Sequence, residues 1–98
     1  MPLVITNQTA AIPLTDTSTQ FTVTDPFVLT GMGFNGWIEK AELYRLMADG
    51  EYHLLTKRDS AVLVKDFPNA VLIDIPGTYR VVKTVTLAEA SVAYEELV

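Results

Sequence analysis

His53 is the only histidine in the chain and so the one side chain whose ordinary titration lies near neutral pH. A general base of this kind works beside a nucleophile or an orienting carboxylate. The local sequence places neither next to it, and His53 reads as a hairpin residue facing Leu46. Ser18, Ser60 and Ser91 lie in no Gly-x-Ser-x-Gly elbow and no Ser-x-x-Lys pair, which removes the usual footholds for acyl transfer. Cysteine is absent, excluding thiol nucleophiles, disulfides and thiolate zinc sites. Asp16, Asp25, Asp49, Asp59, Asp66 and Asp74 fall mostly at turns, where a short carboxylate bonds local backbone, and no calcium-loop spacing links them. Gly31-x-Gly33-x-x-Gly36 spells a dinucleotide fingerprint but lacks the strand-helix-strand setting that gives the pattern meaning. Asn7-Gln8-Thr9 matches a glycosylation sequon; Met1-Pro2-Leu3-Val4-Ile5-Thr6 carries no secretory signal, so the sequon is read as a polar edge. No catalytic, metal-binding or cofactor-binding residue is assigned, and a non-enzymatic protein without cofactors is expected.

Stepping from side chains to the chain that must carry them, 98 residues make one domain. With 49% hydrophobic and 19% charged residues it can offset its ordering entropy and fold. A net charge of -5 repels phosphate backbones and anionic lipid, so neither nucleic acid nor membrane is expected as partner. The longest apolar runs, such as Ala61-Val62-Leu63-Val64, are far shorter than the ~20 residues of a membrane span.

Period-2 patterning dominates. Gln20 to Thr24 alternates with Phe21 and Val23 on one side, Phe27 to Thr30 is a short apolar run, and Gly31 to Gly36 reads as a loop bearing Met32 and Phe34. Residues 39 to 48 are mostly good helix formers, and a helix stopped by Gly50 is one reading. Asp49-Gly50 between two apolar-rich runs favours a two-residue hairpin, with Met47 facing Tyr52, Leu46 facing His53 and Tyr44 facing Leu55. Both faces of that ribbon carry apolar groups, so one is core and the other wants a cover. Ala61 to Val64, Val71 to Ile75, Tyr79 to Val85 (with Lys83 breaking the inward set) and Ala90 to Glu95 complete about seven short strands, the pattern of a β-sandwich or small barrel. Residues 1–18, bounded by Pro2 and Pro13, suit an N-terminal arm or edge strand, with the sandwich over 19–98. Leu3, Val4, Ile5, Ile12 and Leu14 are too irregularly spaced for the core and are read, with Phe34, as partner-binding.

The turn Ile73-Asp74-Ile75-Pro76-Gly77-Thr78-Tyr79-Arg80-Val81 sets an inward tyrosine two residues before an inward valine. It looks like the tyrosine corner of immunoglobulin-like sandwiches, whose hydroxyl bonds back to upstream backbone. On that likeness Trp37 begins the third strand and Val81 stands where antibody domains carry their second cysteine; the competing reading makes Trp37 and Tyr79 core aromatics of another β fold. The order Ala41-Glu42-Leu43-Tyr44, Asp49-Gly50-Glu51-Tyr52, Ala61-Val62-Leu63 and Pro76-Gly77-Thr78-Tyr79-Arg80-Val81-Val82-Lys83 resembles small immunoglobulin-like virion proteins of tailed bacteriophages. The resemblance implies an all-β immunoglobulin-like sandwich of about seven antiparallel strands, made in the host cytoplasm and resident in the virion. It also implies capsid or tail proteins as partners, self-association on the particle and no chemistry. The alternative is a carbohydrate- or receptor-binding sandwich, for which Trp37, Phe34, Tyr44 and Tyr52 would form an aromatic platform.

Overall fold

The computed structural model describes residues 3–33, 40–57, 60–61, 63–65, 69–83 and 89–97. Among them the chain is all-β: β1 (Leu3–Gln8), a 3-10 turn (Thr17–Thr19), β2 (Gln20–Val23), β3 (Phe27–Met32), β4 (Lys40–Leu46), β5 (Tyr52–Leu54), β6 (Thr56–Lys57), β7 (Ser60–Ala61), β8 (Leu63–Lys65), β9 (Asn69–Ile73), β10 (Gly77–Lys83) and β11 (Ala90–Glu96). One sheet has the order β1-β11-β3-β9 and the other β2-β10-β4-β5, every pairing antiparallel. β8 lies beside β5 on the same edge of β4, since Leu54 faces Tyr44, the Leu55 amide donates to the Leu43 carbonyl, and Leu63 faces Glu42. These two short strands are one edge strand interrupted by the small β6–β7 ladder.

Alternation builds the core between the sheets. Phe21 and Val23 point inward from β2, Phe27 and Leu29 from β3, Ala41 and Leu43 from β4, Ile73 from β9, Tyr79 and Val81 from β10, and Ala90 and Val92 from β11. The rings interlock: Phe21 stacks on Tyr94 with centroids 4.4 Å apart, while Phe27 meets Tyr79 edge-on at 5.1 Å. Such geometries avoid face-to-face repulsion between the π systems and add to simple burial. Lys83 also stands on this inward side, 1% exposed at the end of β10.

Tyr79 behaves as its turn suggested. Its ring is fully buried and its hydroxyl donates to the Ile75 carbonyl, tying β10 to the backbone just before it. Burial pushes the phenol above its usual range, opposed by nearby Arg45. Arg45 packs against Gly77 and donates from Nη2 to the Pro76 carbonyl at 3.3 Å. Val81 is equally buried. Phe34 and Trp37 lie outside the described residues.

Four expectations are corrected. Of the arm and the edge strand expected over residues 1–18, β1 is the edge strand, paired with β11, but Ile5 and Ile12, expected outside the core, are 3% and 6% exposed within it. Two irregularities in the β1 register absorb the uneven spacing that made these residues look unfit for burial. Residues 40 to 46 are strand, and the hairpin register is one residue from that expected, with Leu46 opposite Tyr52, Arg45 opposite His53 and Tyr44 opposite Leu54. The Met47 amide donates to the Glu51 carbonyl and the Gly50 amide to the Met47 carbonyl, leaving a three-residue loop with Gly50 at φ +81°. A left-handed glycine after a tight turn is the usual solution for that loop length, and the one-residue slip exchanges faces. β9 ends at Ile73, so Ile75 is 46% exposed instead of continuing the inward set. Finally, β10 and β11 lie in opposite sheets, whereas the last two strands of an immunoglobulin sandwich are neighbours.

Candidate docking face

The register places one side chain in two of each strand on the outside of the sandwich, and the two outer faces differ in chemistry. On the β1-β11-β3-β9 sheet, Leu3, Ala93, Thr30 and Ala70 form one row across the strands; Glu95, Val28 and Leu72 form the next, and Ser91 with Met32 a third. Leu97 continues the alternation beyond Glu95, its amide donating to the Pro26 carbonyl at 2.7 Å. Leu3, Met32, Leu72 and Leu97 are 54%, 40%, 48% and 50% exposed, four of the five large hydrophobic residues most open to water among the described residues. Glu95 is the single charged side chain in these rows. Ala93, 1% exposed, and Thr30 stand between the Leu72 and Met32 rows, so the open hydrophobes are spread over one side of the molecule, which makes that side the candidate contact surface.

The outer face of the other sheet has its own cover. Arg80 on β10 lies 4.1 Å from the centre of the Tyr52 ring, reaches the Leu14 carbonyl through Nη1 at 2.8 Å and touches Gln20 Oε1 through Nη2 at 3.3 Å. One guanidinium thereby joins the turn before β2, β2 itself and β5, using a planar donor fork and a flat cationic face at once. Thr22 and Thr78 share a hydroxyl hydrogen bond at 3.0 Å across β2 and β10. The free edge of β10 is also closed, because Lys83 and Ile12 exchange backbone hydrogen bonds and the buried Thr19 hydroxyl donates to the Val81 carbonyl at 2.7 Å.

Of the described residues read from the sequence as partner-binding, only Leu3 joins the exposed apolar face. Val4 is half-buried against the core, Ile5 and Ile12 are in it, and Leu14 is half-buried with its carbonyl on Arg80. Val28, Met32 and Leu72 were not assigned to such a surface. Their signal was present in strands apolar on both sides, Val28 next to Leu29 and Leu72 next to Ile73, where only one side can face the core.

His53 does have a carboxylate neighbour. Its Nε2 lies 2.8 Å from Asp49 Oδ2 at the hairpin tip, with both side chains more than half exposed. The Glu51 amide, and then His53, hold the Asp49 carboxyl below its usual range. No serine or threonine hydroxyl is bonded to this pair among the described residues, so it orients a turn and lacks the third member of a nucleophilic set. The described residues hold no group of three or more His, Asp or Glu side chains able to ligate a metal. Comparison of the chain with protein-family models, with curated proteins and with solved structures finds no match.

Proposed function

We infer that this protein is a non-enzymatic structural module of a bacteriophage virion, a capsid decoration or accessory protein that docks on a preformed head or tail lattice. The carrying observation is the apolar outer face of the β1-β11-β3-β9 sheet, bearing Leu3, Met32, Leu72 and Leu97 with one charge among them. In finer architecture the sandwich is wound as a jelly roll. Leaving aside the β6–β7 ladder and counting β5 with β8 as one, the eight remaining strands have the sheet orders 1-8-3-6 and 2-7-4-5, the double Greek key used by viral capsid and lectin domains. The tyrosine corner at Tyr79 is the feature shared with the immunoglobulin-like virion proteins that the sequence resembles.

The size of the face favours a repeated lattice over a single soluble partner. Four strands ~4.8 Å apart and about six residues long give a plane of roughly 400 Å², below the ~800 Å² per partner of a standard stable interface. Several copies engaging a lattice, or each other upon it, gain the missing affinity through effective concentration. Electron cryo-microscopy of the particle that carries this protein tests the reading. Density for the sandwich with β1, β11, β3 and β9 turned toward the shell or tail supports it; a copy attached through the opposite sheet, or a carrying particle that is no virion, overturns it.

A further inference from the structure

We propose that the outer face of the β2-β10-β4-β5 sheet is a binding site for neutral sugars, with Tyr52 as its stacking plate. The site is independent of docking; only its outward orientation on a particle rests on the docking reading, because the two outer faces of a sandwich point in opposite directions. Arg80 Nε is closed off from solvent while its guanidinium lies 4.1 Å from the Tyr52 ring centre. The cation thus takes one side of the ring of half-buried Tyr52, and the proposed sugar takes the other. The guanidinium is fixed from below by the Leu14 carbonyl and Gln20 Oε1, so the plate is held before any ligand arrives.

By register Leu46 and Leu54 flank that plate, and hydroxyl-bonding groups stand further along the same face. Tyr44 stands opposite Arg80 on the neighbouring strand, and burial, followed by the charge of Glu42, keeps its phenol above its usual range, so it is a donor at neutral pH. The Thr22–Thr78 hydroxyl pair, Gln20 and Glu42 supply further donors and acceptors. A flat ring with such groups along the same face suits the apolar C–H face and the peripheral hydroxyls of a pyranose. Anionic ligands fit less well at the plate itself, since the Arg80 cation is already engaged by Tyr52 and the chain carries a charge of -5.

The experiment is an NMR titration of the full chain with maltohexaose, cellohexaose and chitohexaose. At least one should shift amide signals on the outer face of β2, β10, β4 and β5, with a Kd on the order of 1 mM. Tyr52→Ala should weaken it about tenfold or more, and Tyr52→Phe, which keeps the plate, by less than about threefold. A chain carrying Met32→Lys and Leu72→Lys should bind sugar unchanged, so loss of particle docking is distinguishable from loss of this site. Because Tyr52→Ala also uncovers Arg80, the map of shifts in the unmutated chain decides the matter if that variant does not fold. No shifts with any of the three sugars at about 10 mM, shifts confined to the other sheet, or a folded Tyr52→Ala chain binding as well as the parent overturns the proposal.

Discussion

Tyr79 joins two separable contributions in one side chain, a fully buried ring and a hydroxyl that donates to Ile75. Tyr79→Phe removes only the hydrogen bond and should cost about 1 kcal/mol. Tyr79→Ala also opens a cavity against Phe21 and Phe27 and should cost ~3 kcal/mol or more. Denaturant midpoints read both, and equal losses in the two variants would contradict the division. Asp49 makes a prediction about pH. Its folded-state carboxyl is depressed, first by the Glu51 amide and then by His53, so its contribution is present above the unfolded-state value and disappears as pH falls through the lower folded one. Asp49→Asn should therefore lower stability at neutral pH and match the parent in strong acid. A gap between the two proteins that widens on acidification would reverse the assignment.

At the scale of elements, the strands were legible in the sequence wherever one side of the chain was polar. Phe21 and Val23 against Thr22, and Tyr79 and Val81 against Thr78 and Arg80, stand inside as their alternation required. Strand pairing was less legible, because periodicity orients side chains without naming the neighbouring strand; nothing in Ala90 to Glu96 indicates β3 over β10. The hairpin slipped by one residue because Asp-Gly fits a two-residue turn as well as the observed loop, with Gly50 at φ +81°. Gly50→Ala should accordingly cost roughly 1 kcal/mol in thermal or chemical unfolding although no atom lies within 4 Å of the added methyl carbon; a neutral result would remove the left-handed turn from the account. β1 sets a stronger test. Deleting residues 1–15 removes Ile5 and Ile12 from the core and strips β11 of a partner, and each isoleucine truncated singly to alanine should cost ~2–4 kcal/mol. The deletion should melt well below the full chain, whereas a dispensable arm would leave the melting temperature unchanged.

Across the whole molecule, the division of labour between the two outer faces organises the account. One sheet is covered from within by the Tyr52–Arg80 stack, and the other leaves Leu3, Met32, Leu72 and Leu97 to water. The sequence disclosed the excess of apolar residues but not their concentration on one side, which depends on β1, β11, β3 and β9 becoming neighbours through long-range pairing. The candidate site was therefore legible as a quantity and not as a place. The most direct test sediments the purified chain with particles assembled without it, in parallel with the Met32→Lys, Leu72→Lys variant. Both positions are exposed, so the variant should keep the parent's circular dichroism and melting temperature. The account predicts that the parent co-sediments at low and at raised salt, as apolar burial requires, and that the folded variant stays in the supernatant. A folded variant that saturates the particles like the parent, or a parent that binds none, would contradict docking through this face.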